Sequence, residues 1–396
     1  MREQYSTMHL RKTILLFLSG LLILAGCKKE TTQSNPAPDE CAVTNSARSG
    51  EIIEGKYIIA YRGSTNARGM SIQSMNQISE DVLSRNEISP QALEQSFTGE
   101  PGGFIALLSE EEVARLRTDV SIAAIEPDRI IALSNCFTIA APNLVTWNIH
   151  RVGYSNGTGR TAWIIDSGID MDHPDLTVDA TRSRSFISGV TSPNDEHGHG
   201  THVGGIIGGK NNTIGTLGVA SGATLVSLRV LDGEGVGSVS AIIQALSYIN
   251  NNASPGDVVN MSLGDDEGVS AILDDQVKNT ASRGIFFAIA AGNDNDLANK
   301  YSPARANGTN IFTVSAIDSL DNFAGFSNYG NDVVDYAVPG VRILSAYKDG
   351  RYAYMSGTSM AAPHMAGLLL LKGRNIVTSG TAKNDPDGTP DPIAHY

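Results

Sequence analysis

The sequence predicts an α/β protein with a mainly parallel sheet, preceded by a small α+β unit. Apolar runs of strand length recur at 161–165, 225–231 and 285–291, the pattern of strands buried on both faces. Loops and helix-compatible segments separate these runs, so consecutive strands need crossover connections and lie parallel. Ahead of them, 51–133 reads strand, helix, strands, helix, strand.

Composition narrows the classes. A chain of 396 residues suits two domains with a large core, and 41 glycines in a chain that is 41% hydrophobic fit a compact α/β enzyme. The formal charge of −13 argues against nucleic acid as a partner, because phosphate binding needs a basic face. Three cysteines are too few for a disulfide scaffold, and none has zinc-knuckle spacing.

The N-terminus reads as an export signal. Arg2, Arg11 and Lys12 precede an apolar run over 14–25, which is short for a membrane span and has the shape of a signal core. It ends Leu24-Ala25-Gly26-Cys27, which resembles the bacterial lipobox, where the cysteine is acylated and becomes the mature N-terminus. Residues 1–27 are therefore expected to be a lipoprotein-type signal peptide and 28–50 a polar tether.

In the first folded unit, 51–135, residues 56–62 alternate as a strand does, and Ile72, Met75, Ile78 and Val82 recur at helical spacing. An apolar strand follows at 104–108. Ser109-Glu110-Glu111-Glu112 opens the next helix as a capping box, with Val113 and Leu116 inward. A last strand pattern covers 122–133. The order is that of a ferredoxin-like plait, and nothing in it is catalytic in character.

The second unit carries the chemistry. The strand at 161–165 ends at Asp166-Ser167-Gly168-Ile169, and strand carboxyl ends are where α/β sheets place functional groups. His197-Gly198-His199-Gly200-Thr201-His202 has no cysteine cluster or HExxH pattern beside it, so its glycines point to a helix start pressed on another backbone. A histidine beside a carboxylate is a natural base for a serine. The Gly-rich loop at 232–238 lacks the Gly-Lys-Ser/Thr of a phosphate loop. Residues 241–250 read as a helix, 257–264 as a strand and small-residue turn, and the strand at 285–291 ends Gly292-Asn293. Ser356-Gly357-Thr358-Ser359-Met360-Ala361-Ala362-Pro363-His364 then places a hydroxyl at the start of an apolar helix, with Pro363 expected in its first turn. A serine in such a place is by itself more often a cap than a nucleophile.

Asp-Ser-Gly-Ile at Asp166, His-Gly-Thr-His-Val at His199 and Gly-Thr-Ser-Met-Ala-Ala-Pro-His at Gly357 occur in the order Asp, His, Ser. Together they resemble the subtilisin-like serine proteases, nearest to the proteinase K branch, over roughly 142–375. The resemblance implies a three-layer subtilisin-like fold and a serine endopeptidase. By motif, Asp166 orients the histidine, His199 is the general base, Ser359 the nucleophile and Asn293 an oxyanion donor. Gly235, Val236 and Gly237, with Ser262, Leu263 and Gly264, match the two segments between which substrate lies as an added strand. Val239, Ile242 and Leu263 would line an apolar subsite or belong to the core.

The same resemblance makes 51–135 an inhibitory propeptide whose tail, 126–133, occupies the cleft, with cleavage in 133–141. It also makes 136–378 the peptidase domain, and 379–396 read as a loose Pro/Asp-rich tail. No cofactor is needed for the chemistry. A structural calcium ion is the one metal the resemblance allows, on Asp335 with carbonyls near Thr309 and Ile311. The partners implied are protein or peptide substrates, the chain's own propeptide, and a membrane through lipidated Cys27; the enzyme is expected to be an exported monomer at the cell envelope, released by processing. Cys41 and Cys136 flank the propeptide and would form a disulfide in an oxidising compartment. Other readings are an inactive subtilase serving as a binding module, and an esterase or transferase with the same triad.

Overall fold

The computed structural model describes residues 49–63, 70–132, 137–139, 145–264 and 268–396. Cys27, Cys41 and Cys136, the tether up to 48 and most of the cleavage region lie outside the described residues. Among the described residues no helix is long and apolar enough to cross a membrane.

The N-terminal unit contains β1 (Ile52–Tyr61), α1 (Ile72–Arg85), β2 (Leu93–Phe97), β3 (Gly103–Leu107), α2 (Glu110–Leu116) and β4 (Ile122–Ala132). Its antiparallel strands lie in the order β4-β1-β3-β2, the ferredoxin-like arrangement expected. The capping box of α2 forms as read, with Ser109 Oγ accepting from Glu112 N–H and Glu112 accepting from Ser109 N–H. β2 went unread because Glu94 and Gln95 face solvent and break the apolar pattern.

After β5 (Phe137–Ile139) and α3 (Trp147–Val152), the large sheet begins with β6 (Thr161–Asp166). It is followed by α4 (His199–Gly208), β7 (Thr224–Arg229), β8 (Val236–Ser238), α5 (Val239–Asn252), β9 (Val258–Met261), α6 (Ala271–Ala281) and β10 (Phe286–Ala290). Then come β11 (Ile311–Ile317), β12 (Val334–Pro339), β13 (Ile343–Tyr347), β14 (Arg351–Met355), α7 (Thr358–Lys372), β15 (Val377–Thr381) and β16 (Pro392–His395). The sheet runs β15-β16-β12-β11-β10-β9-β6-β7, and every neighbouring pair is parallel except β15 with β16.

Alternation along each strand builds the three layers. Ala162, Ile164, Ala288 and Ala290 pack with α4 and α7, whereas Trp163, Ile165, Phe287 and Ile289 pack with α5 and α6. Alanines on the first face let α7 lie close to the sheet. That helix is apolar nearly all round and correspondingly buried from Met360 to Leu370.

The C-terminus is not a loose tail. β16 joins the sheet beside β12, with Ile393 and Ala394 fully buried. The Asp-rich loop before it is a turn network: Asp385 accepts N–H groups of Asp387 and Asp391, and Asp391 accepts from Ser315 Oγ at 2.6 Å. Composition mistook hydrogen-bonding turn residues for a disordered segment, since Asp385 and Asp387 accept nearby backbone N–H groups and Asp391 ties the loop to β11. The folded peptidase unit thus continues past 378, to the last strand.

Candidate active site

Asp166 is the last residue of β6 and is fully buried. Its carboxylate lies 2.8 and 3.0 Å from His199 Nδ1 and also accepts Ser167 N–H at 2.7 Å. An ionised carboxylate can only accept, so Nδ1 carries the proton and Nε2 is left with a free lone pair. His199 is the first residue of α4, and glycines bring it there. A Cβ on Gly200 would stand 2.1 Å from the Gly168 carbonyl oxygen, so only glycine lets the helix start press on the loop after Asp166. Gly198 has φ +110°, and a Cβ there would meet the Tyr347 ring at 2.2 Å.

Asp195 escaped the sequence reading. It is buried and gathers five donors: Ser167 Oγ, the N–H groups of His197, Gly198 and Thr201, and Thr201 Oγ1. It therefore holds the start of α4 against the Asp166 loop. The signal available was its place four residues before His199, in a stretch read only for histidines. The neighbouring histidines do other work. His202 is fully buried with Nε2 against the carbonyls of Ile343 and Ala353, and burial pushes its pKa down to about 3. His364 bridges the Met360 carbonyl and Asn148, and burial lowers it to about 4. Burial also lowers His197.

Ser359 is the second residue of α7, where its N–H has no intrahelical partner. Pro363 sits sixth in the helix rather than in the first turn. Lacking an N–H, it leaves the Ser359 carbonyl without its i+4 donor, and Ser262 Oγ donates to that carbonyl at 2.7 Å instead. Ser359 Oγ in turn donates to the Ser262 carbonyl at 3.1 Å. The reciprocal pair locks the helix start to the segment Ser262-Leu263-Gly264. In resting enzymes the nucleophile–base hydrogen bond is often formed only with substrate in place.

Asn293 follows β10. Its Oδ1 accepts the N–H and hydroxyl of Thr358, at 2.8 and 3.0 Å, which directs its amide group the other way. A Cβ placed on Gly357 would lie 3.7 Å from Asn293 Oδ1 and from Ser359 N and 3.8 Å from Asn293 Nδ2, so the Asn293 amide group and the Ser359 N–H are close neighbours. Such a pair can stabilise an oxyanion. Asn328, buried and unassigned by sequence, holds the Asn293 loop by accepting Asp294 and Asp296 N–H groups.

On one side of this centre, β8 carries Val236 and Gly237 just after Gly235. It pairs antiparallel with β4: Val236 faces Ala132, Gly237 faces Ile131 and Ser238 faces Ile130. Ile131 shares an apolar cluster with Val239, Ile242 and Leu263, all buried. Two carboxylates of β4 reach the helices beyond. Asp128 accepts from Ser240 N–H and Oγ at the start of α5, and Glu126 from Ser270 Oγ and Ile272 N–H at the start of α6. Burial pushes both carboxyls up.

Asp335 opens β12 close to its start, accepts Thr313 N–H at 2.9 Å, and is pushed by burial to about 6. A buried carboxylate with one backbone donor suits a cation. Calcium takes six to eight oxygens, and among the described residues no group of three or more His, Cys, Asp or Glu stands ready to hold a metal ion, so Asp335 is a lone carboxylate there.

Known proteins agree with this geometry. The subtilase family profile matches residues 157–378, which contain Asp166, His199, Asn293 and Ser359. The chain belongs to the subtilase family. It is a serine-type endopeptidase by that membership. The chain is 34% identical over 356 residues to an alkaline serine exoprotease A of Vibrio alginolyticus, covering 86% of this chain and 65% of that protein. An extracellular serine proteinase of Thermus is 34% identical, with 90% of this subtilase and 88% of the relative covered. The crystal structure of a cold-adapted subtilisin-like serine proteinase superimposes with a TM-score of 0.56 at 34% identity, covering 64% of this chain and 98% of that one.

Proposed function

We propose that this subtilase hydrolyses peptide bonds through Asp166, His199 and Ser359, and that it is made as a zymogen. The observation that carries the reading is the buried Asp166 carboxylate bonded to His199 Nδ1, which leaves Nε2 as a base. Ser359 Oγ attacks the scissile carbonyl as its proton passes to Nε2. The resulting imidazolium is stabilised by Asp166, and the oxyanion by Ser359 N–H and Asn293 Nδ2. Collapse breaks the C–N bond, the leaving amine takes the proton from His199, and water then hydrolyses the acyl-enzyme by the same route.

The pairing of β4 with β8 supports 51–135 as an inhibitor occupying the strand a substrate would use, released after a cut in 133–141. The Leu24–Cys27 motif supports export as a lipoprotein anchored through Cys27, and the relative named as extracellular is consistent with export. The exported enzyme is read as a monomer whose peptidase domain leaves the envelope on processing. Calcium on Asp335 would brace the loop before β11 and take no part in the chemistry; an Asp335→Asn variant whose melting temperature still falls on chelation would rule it out.

The test compares the wild type with Ser359→Ala. Wild type should cleave casein and appear as two chains, while Ser359→Ala should be inactive and migrate as one uncut chain. Equal activity in the two would overturn the assignment.

A further inference from the structure

We infer that Asn260 is a positioning residue for the nucleophile, acting on Ser359 through the hydroxyl of Ser262. The inference rests on the endopeptidase reading above. Asn260 is the third residue of β9 and is fully buried. Strand alternation puts it on the same face as Val258, the face on which Ala162, Ile164 and Ala288 pack with α4 and α7. Its register partners on β6 and β10 are Ile164 and Ala288, both apolar. An amide in such a place adds nothing to packing and costs desolvation free energy. Its Oδ1 has no hydrogen-bond partner among the described residues, which adds to that cost. Its Nδ2 has one, Ser262 Oγ at 2.8 Å.

That one bond accounts for the residue. A serine hydroxyl has a single proton, and Ser262 Oγ donates its own to the Ser359 carbonyl at 2.7 Å. Pro363 offers that carbonyl no helical N–H, so the hydroxyl stands in for it. With an N–H of Asn260 already aimed at Oγ, the Ser262 proton turns away from Asn260 and towards Ser359. An acceptor in the same place would draw that proton off the carbonyl. The bond that Ser262 accepts also polarises the one it donates. The relay from Asn260 Nδ2 through Ser262 Oγ therefore ties the backbone of Ser359 to the central strand β9. Carbonyl, N–H and side chain of Ser359 are carried by one residue, so anchoring the first restricts the other two. The amide is kept in the core at a cost to stability because it sets the direction of one proton.

The experiment takes the full chain after self-processing and compares wild type with Asn260→Leu, Asn260→Ala, Ser262→Ala and the double variant Asn260→Leu/Ser262→Ala. Leucine keeps the branching of asparagine and removes its polar atoms; alanine removes the amide without crowding, should leucine not fit. Hydrolysis of succinyl-Ala-Ala-Pro-Phe p-nitroanilide gives kcat and KM. Sulfonylation by phenylmethylsulfonyl fluoride reports Ser359 without an extended substrate, and the melting temperature reports the fold. Asn260→Leu should lower kcat roughly tenfold, the effect of about one hydrogen bond, with KM little changed and the melting temperature no lower than wild type. Sulfonylation should slow by a similar factor. Ser262→Ala should lose at least as much, and the double variant should be no slower than Ser262→Ala, because Asn260 acts only through that hydroxyl. An unchanged kcat in Ser262→Ala or in either Asn260 variant, or losses that multiply in the double variant, overturns the inference and leaves the protease reading intact. A kcat that falls only in step with the melting temperature across the two Asn260 variants marks a core residue and overturns it too. An anilide that wild type does not hydrolyse, or that Ser359→Ala hydrolyses equally, overturns both.

Discussion

The oxyanion site proposed for Ser359 N and Asn293 Nδ2 depends on a single side chain held from behind. Thr358 fixes Oδ1 of Asn293 with two hydrogen bonds, so the amide is oriented before substrate arrives. Asn293→Ala should therefore lower kcat about 10²–10³-fold, the measured penalty for such a donor in subtilisin itself, with KM little changed. Steady-state kinetics on one peptide decides it, and a loss confined to KM would assign Asn293 to substrate binding instead. At this scale the motif residues were legible because each is tied to a fixed local feature: a strand end, a helix start, a glycine turn. Asp195 and Asn328 were not, since their role is to gather backbone donors from residues up to 34 positions away, and no spacing rule announces that.

Among the elements, β16 is the one whose existence composition denied. Its preceding loop buries Asp391, which burial and the nearby Asp385 and Asp387 carboxylates push up to about 7. A folded-state value above the ordinary carboxylate range means that the folded protein holds the proton more tightly than the unfolded chain. This contribution is complete below about pH 4 and is lost as pH rises through about 7, on the order of a few kcal/mol in all. Asp391→Asn should thus stabilise the protein at pH 8 and make little difference at pH 4, read as the melting-temperature difference from wild type. A difference independent of pH would refute the burial argument. The neutral histidines act oppositely. His202 and His364 have depressed values, so their stabilisation is whole above about pH 6.5 and is lost as pH falls toward about 3 for His202 and about 4 for His364. Taking the difference between variant and wild type cancels that background.

Over the whole molecule, the two units are joined by an added strand, an apolar cluster and two carboxylates set at helix starts. Asp128 and Glu126 complete the first turns of α5 and α6 with atoms from the other unit. Each such cap contributes about 1 kcal/mol. Replacing both by Ala should weaken inhibition by the cleaved N-terminal unit roughly tenfold or more. The measurement is the rate at which activity appears after processing of the full-length double variant. An unchanged lag would mean that the strand pairing and Ile131 alone hold the N-terminal unit, the proposed inhibitor, in place.

Legible in the sequence were the mainly parallel sheet, the plait before it, and the strand end, helix starts and glycine turn at which Asp166, His199, Ser359 and Asn293 stand. Apolar period, turn glycines and helix-start residues are local signals, and local geometry enforces them. The tertiary structure alone decided that Asp391 and β16 belong to the sheet, that Asp195 organises the start of α4, and that Pro363 frees the carbonyl which Ser262 takes up. It alone showed the chain lying along both β8 and β14. Those facts depend on hydrogen bonds between residues far apart in sequence, and such partners are chosen only when the chain has folded.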